Sequence, residues 1–139
     1  DMMKLKFDIP SDLHIIDLNK MEQTKKVELR GFNFFKPLVL SKKEIMLNLS
    51  TGDMITLNIE SGKIGYIGEF PEPFVSTPFK MGDSLCSLGL MGKLICKQKG
   101  DDQYLFTKEK RYFESIVGEI VNINDQIYAA SRMGYFIFE

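Results

Sequence analysis

The chain contains no tryptophan, one histidine and two cysteines among its 139 residues. With a single histidine, any Ser-His-Asp or Cys-His relay would have to run through His14. That residue stands in LHIIDL, outside any nucleophile motif, and reads as a packed or surface strand residue. Two cysteines are too few for a disulfide-built scaffold, and no further Cys or His stands near them in sequence to complete a zinc set. The 18 basic and 19 acidic residues leave a formal net charge of −1, so there is no strong field to hold a nucleic-acid backbone or an anionic membrane. Apolar runs fall far short of the roughly 20 residues of a spanning helix, and DMMKLKFDIPSD lacks the apolar centre of a secretory signal. The opening Asp1 in place of Met reads as a trimmed product, which leaves the compartment open.

What is present is globular: 44% hydrophobic and 27% charged residues, in a length suited to one domain, residues 1–139. Strand signals follow one another throughout. KLKFDI ends at Pro10, which cannot donate to a sheet ladder. LHIIDL and KKVELR follow, the second with Val27 and Leu29 alternating with charge at period two. The stretch SKKEIMLNLSTGDMITLNIESGKIGYIGEF, from Ser41 to Phe70, then reads as strand, tight turn, strand, turn, strand. The aromatic connector FNFFKP precedes it, and the Pro and Phe connector FPEPF follows.

Beyond Phe74 the pattern recurs in VSTPF, SLCSLGL, KLICKQ and QYLFTKE, and again in GEIVNI, QIYAASR and YFIFE. Aligning Gly52, Gly92 and Gly134 as turn glycines puts Ile45, Leu85 and Ile127 in register seven positions before them. A short hairpin loop calls for a residue with positive φ, which glycine adopts at little steric cost. LHIIDLN aligns with GDMITLN, so it reads as the third strand of an earlier unit. A period of about 40 residues with four short strands is the signature of a propeller blade. The expectation is therefore an all-β fold of antiparallel four-stranded blades, a partial β-propeller of about three and a half repeats. Its units are approximately 4–30 (partial), 37–70, 74–110 and 118–139 (partial). A β-sandwich or barrel with look-alike hairpins is the competing architecture. Closed propellers have about four to eight blades, so the chain is expected to self-associate or to belong to a larger parent chain. Open edges such as YFIFE argue against a well-behaved monomer.

Cys86 and Cys96 fall on the two arms of one hairpin, equidistant from Met91, where a disulfide is sterically possible; a pair of reduced core thiols is the preferred reading and a metal the least favoured. The run from Gly89 to Lys93 imitates a phosphate loop, but its leading glycine is misplaced and Leu94 stands where Ser or Thr should meet magnesium. Asp101-Asp102 and Asn124-Asp125 are ordinary turn formers without the spaced oxygens of a calcium loop. Asn48-Leu49-Ser50 fits a glycosylation acceptor, of consequence only in a eukaryotic secretory setting. The run TKEKR, with Tyr104, Phe106, Tyr112 and Phe113 around it, mixes cations and aromatics, yet Glu109 interrupts it and a solvated sheet edge accounts for it. No catalytic, cofactor-binding or metal-binding residue emerges.

From Thr51 to Glu72 (TGDMITLNIESGKIGYIGEFPE) and from Gly118 to Glu139 (GEIVNINDQIYAASRMGYFIFE) the chain resembles divergent propeller repeats. It is similar to the six-bladed TolB-like propellers of Bacteroidetes and to the PQQ-like repeats of outer-membrane assembly scaffolds, sharing the hairpin, the small-residue turn and a following Gly-Lys. The resemblance implies a periplasmic or envelope-associated binding scaffold. The function expected is a non-enzymatic module that binds a protein or peptide partner on its loops. The alternatives are an enzyme completed by missing blades or a second chain, and a structural or sensor segment that dimerises through open sheet edges.

Overall fold

Period-two alternation sends successive side chains to opposite faces of a strand, and this chain uses both faces. The computed structural model describes residues 8–112, 116–124, 126–131 and 134–138. The described residues form thirteen strands and no helix: β1 (Ser11–Asp17), β2 (Glu22–Leu29), β3 (Leu38–Val39), β4 (Glu44–Asn48), β5 (Asp53–Asn58), β6 (Ile64–Glu69), β7 (Phe79–Met81), β8 (Ser84–Leu88), β9 (Lys93–Lys99), β10 (Tyr104–Arg111), β11 (Ile116–Ile123), β12 (Gln126–Ser131) and β13 (Gly134–Phe138). They pair, always antiparallel and always with the next strand in sequence, into four sheets: β1-β2, β3-β4-β5-β6, β7-β8-β9-β10 and β11-β12-β13.

The sheets stack through three apolar layers. Leu13, Ile15, Val27 and Leu29 of the first sheet meet Ile45, Leu47, Leu49, Ile55 and Leu57 of the second. The opposite face of the second sheet, Met46, Met54 and Ile67 with Phe70, meets Leu85 and Ile95 of the third. Cys86, Leu88, Leu94 and Cys96, from the other face of the third, meet Ile120, Ile127 and Ala129 of the fourth. Each middle sheet is therefore buried on both sides, which explains runs such as IMLNL and LICK. Each buried Leu, Ile or Met contributes about 1.5–3 kcal/mol of transfer free energy. One sheet alone has nothing against which to bury its faces, so stability is shared between neighbours. This is the arrangement of propeller blades, and the chain is an all-β partial propeller.

Two hairpins have the same construction. In the β4-β5 loop the Gly52 amide donates to the Leu49 carbonyl (2.9 Å) with Gly52 at φ 91°. In the β8-β9 loop Gly92 donates to Gly89 (3.0 Å) at φ 82°. A three-residue loop ending in a left-handed residue is a standard hairpin closure, and glycine is the residue that takes that φ without a Cβ penalty. Gly134 departs from the expectation: it is the first residue of β13, paired with Ser131 in the ladder rather than standing in a turn. The VSTPF strand also starts late. β7 begins at Phe79, and before it only Phe74 bridges, to Gly89. Pro78 lacks the amide a ladder needs. Most of KLKFDI lies outside the described residues, and its last members, Asp8 and Ile9, are not in a strand.

Candidate functional site

Antiparallel pairing fixes which loops share an end of the stack. In the second and third sheets the turn between the middle strands and the exit from the fourth strand lie at the same end, so the 49–53 and 89–93 hairpins and the connectors 30–37 and 70–78 gather there. Backbone bonds tie them together. The Phe70 amide donates to Gly52 O (2.7 Å) and Tyr112 to Gly92 O (2.8 Å), which fastens each connector to its own hairpin. Ser50 donates to Phe32 O (2.8 Å) and Leu90 to Pro73 O (2.8 Å), which fastens it to the next. The connectors are thus a built surface. The opposite end carries the turns near residues 42, 61, 82 and 101.

The loop end is aromatic. Phe34 is 67% exposed and packs edge-on against Phe32, with ring centres 4.4 Å apart, and against Phe35 at 6.4 Å. Phe70, fully buried, lies 5.0 Å from Phe74. Between the second and third sheets these residues enclose a cavity of about 200 Å³ lined by Phe34, Phe35, Asn48, Leu49, Pro73, Phe74 and Leu90, with Ser50 and Gly52 at its side. Beside it Glu72, with no exposed surface, accepts from the Met91 amide, and its other oxygen pairs with Arg111 Nη2 at 3.1 Å. Arg111 Nη1 also donates to Met91 O (2.8 Å), so the hairpin tip is clamped by one carboxylate and one guanidinium. Met91 itself stays half exposed at the hairpin tip.

The interface behind this cavity differs from its neighbours. By the 40-residue register Ser87 takes the place of Leu47 and Lys97 that of Leu57, positions that are leucine where the first and second sheets meet. Ser87 Oγ donates to Asn48 Oδ1 across the sheets (3.1 Å), both residues being buried, while Asn48 Nδ2 has no partner. Lys97, 8% exposed, donates to Ile67 O (3.3 Å) and lies 4.4 Å above the Phe106 ring. Two leucines here would add about 1.5–3 kcal/mol each. Sequence reasoning singled out neither Asn48 as a buried group nor this interface. The exchange of Leu47 for Ser87 in the aligned repeats was the available signal.

A second cavity, of about 460 Å³, opens where the first strands of three sheets converge: Leu38 and Val39, Phe79 and Lys80, Ile120 and Asn122 border it, with Lys36 and Pro78. A third, of about 300 Å³, lies at the opposite end between Glu44, Asn58, Lys63, Tyr66, Asp101 and Tyr104. Burial raises the Tyr104 and Tyr66 hydroxyls above their ordinary pKa, with the carboxylates of Glu44 and of Asp53 and Glu69 adding to it, and burial alone raises Tyr112.

Cys86 and Cys96 stand directly opposite each other in β8 and β9, with Cα atoms 4.1 Å apart, and are joined in a disulfide rather than held as the reduced thiols preferred from sequence. The ladder register sets them opposite each other, as their spacing about Met91 implied, and the bond between them is what the sequence left open. His14, on β1, meets Gln23 Oε1 at 2.6 Å on an exposed face. Among the described residues no group of three or more His, Cys, Asp or Glu is placed to hold a metal ion. Nor does any helix there have the length and apolarity to cross a membrane.

The stacked four-stranded sheets and their gathered loops define a propeller-type, all-β protein segment. Among solved structures the chain is similar to BamB from Moraxella catarrhalis, with a TM-score of 0.70 at 16% identity over 91% of this chain and 36% of that one. It is also similar to the computationally designed Ika4 protein, with a TM-score of 0.69 at 8% identity over 91% of this chain and 78% of that one. The chain thus spans little more than a third of BamB. No protein-family model matches the sequence, and no curated protein matches it.

Proposed function

We propose that this chain is a non-enzymatic binding scaffold that engages a protein or peptide partner through its aromatic loop end. The observation that carries this reading is the apolar cavity lined by Phe34, Phe35 and Phe74, with Phe34 exposed and Met91 half exposed at the same loop end, on connectors fixed by backbone bonds. Exposed aromatic and Met side chains on a rigid support are what protein interfaces use as anchors. The fold shared with BamB agrees with a scaffold role of the TolB-like or PQQ-like kind. The Cys86–Cys96 disulfide supports an oxidising compartment such as a periplasm or envelope. Completion of the ring, by a larger parent chain or by a second copy, belongs to the same reading.

The test is photocrosslinking in the native host, with a photoreactive residue placed at Phe34 or Met91 and, for comparison, at Ser61 or Asp83 of the opposite end. A discrete adduct confined to the first pair is expected. Adducts formed only from the second pair would overturn the assignment of the loop end.

A further inference from the structure

We propose that the cavity of about 300 Å³ at the turn end, between the second and third sheets, is a carbohydrate site that takes one sugar residue, with the Thr56 hydroxyl as its buried contact. This goes beyond the loop-end reading and does not depend on it.

The ladder sets Thr56 opposite Met46, and period-two alternation puts it on the face of Met54, toward the third sheet. One blade later the corresponding pair is Cys86 and Cys96, joined to each other and packed against Ile127 and Ala129. Thr56 is left open instead. The residue is 6% exposed and its hydroxyl has no hydrogen-bond partner among the described residues, yet unlike Asn48 Nδ2 that atom is not sealed from solvent. Its neighbour on β6 is Gly65, where a Cβ would stand 2.5 Å from Thr56 Oγ1. Both residues line the cavity. The missing side chain at Gly65 therefore leaves a buried hydroxyl within reach of an occupant.

The rest of the wall argues the class of that occupant. The charged groups Lys63, Lys99, Asp101 and Asp102 stand exposed at the mouth, with the signs balanced, while Glu44, Asn58 and Tyr104 are half-buried further in. An anion would meet Glu44, and among the described residues no three acidic groups are placed to hold a metal. An apolar guest would strip water from these groups without return. What suits them is a neutral molecule dense in hydroxyls, because each hydroxyl offers one hydrogen and two lone pairs. The inner wall answers both. Asn58 spends its oxygen on the Glu60 and Ser61 amides, which leaves its NH2 to donate, and the Glu44 carboxylate accepts. Burial and Glu44 raise the Tyr104 hydroxyl above its ordinary pKa, so at neutral pH it donates as well as accepts. The Tyr104 ring, packed on the apolar layer behind, adds a surface for the C–H face of a sugar. Small-molecule sites run to about 300–1,000 Å³, so this cavity lies at the small end, where one ring fits better than a cofactor.

The probes are the methyl glycosides of glucose, galactose and mannose, with ethanolamine as an ammonium and inorganic phosphate as an anion for comparison. Each is titrated into the full chain while backbone amide resonances are followed. Saturable shifts at Thr56, Gly65 and Gln103 are expected with at least one glycoside and with neither ion. Thr56→Val keeps the branched shape and removes only the hydroxyl, so it should weaken glycoside binding about fivefold or more. Gly65→Ala should weaken it further by covering that hydroxyl. A dispersed amide spectrum checks the fold of each variant, and Thr56→Val decides by itself if Gly65→Ala does not fold.

No response of the native chain to any of the glycosides would overturn the proposal. So would ethanolamine or phosphate binding there in preference to them, or equal affinity in Thr56→Val and the native chain. None of these results touches crosslinking from Phe34, so the loop-end reading stands or falls separately.

Discussion

Ser87 Oγ donates a 3.1 Å hydrogen bond to Asn48 Oδ1, joining two buried side chains 39 residues apart on adjacent sheets. Around it Met46, Met54, Leu85 and Ile95 close an apolar layer, so the pair is shielded from water on the sheet side. Ser87→Ala would leave both polar atoms of the Asn48 amide unspent. The expected loss is about 1–3 kcal/mol in urea unfolding, with much of it recovered in the double variant Ser87→Ala, Asn48→Leu, where neither partner is left behind. If the single variant cost nothing, the contact would be incidental to the interface.

The Glu72 brace admits a second test. A Cβ on Gly89 would run into the Glu72 side chain. Gly89→Ala should therefore displace the carboxylate from the Met91 amide and from Arg111, lowering stability by about 1–3 kcal/mol. Arg111→Ala should cost less, because it leaves the Met91 amide bonded to Glu72. Thermal unfolding of the two variants gives the order, and the reverse order would contradict the brace.

Closing the 10-residue separation between Cys86 and Cys96 is expected to stabilise the third sheet by about 2–3 kcal/mol. Urea unfolding with and without a thiol reductant reads this difference. Cys86→Ala with Cys96→Ala should reproduce the reduced midpoint to within the loss of packing against Ile127 and Ala129. An unchanged midpoint on verified reduction would show that the hairpin is held by its ladder alone.

Alkaline pH should lower the stability of the chain through its tyrosines. Tyr66, Tyr104 and Tyr112 have hydroxyl pKa values raised in the fold, chiefly by burial. Their neutral forms are favoured in the native state, so the contribution is fully present below the unfolded value of about 10 and is lost as pH rises through the higher folded values. Urea midpoints measured from about pH 8 to 12 should fall above about pH 10, and Tyr104→Phe should make that fall shallower. A fall no shallower in that variant would remove Tyr104 from the account.

Gly92 tests the hairpin closure. At φ 82° an alanine is strained, so Gly92→Ala should cost about 1–2 kcal/mol. Gly92→Asn, whose side chain tolerates the left-handed region, should cost less. Equal costs in equilibrium unfolding would mean that crowding, and not φ, restricts the site.

Much of the architecture was legible because local chemistry wrote it. Alternating residues marked β2, and the Gly52 and Gly92 turns marked two hairpins whose loops repeat bond for bond. The approximate 40-residue period predicted sheets that stack. The reading went astray where a local sign was ambiguous. Gly134 looks like its two counterparts, yet it pairs in the ladder with Ser131. VSTPF looks like a strand, yet Pro78 delays pairing until Phe79.

The sequence by itself determined an all-β chain of repeated antiparallel hairpins, because side-chain period and turn glycines act within a few residues of one another. Only the tertiary structure decided what stands between the sheets. Whether Asn48 finds Ser87 and leaves an amide nitrogen unspent, and whether Phe34 and Phe74 border one cavity, depend on ladder register and on which face meets which neighbour. Those are relations between residues about 40 positions apart. No local rule carries that far, because a face turned by one residue exchanges every inward side chain for an outward one.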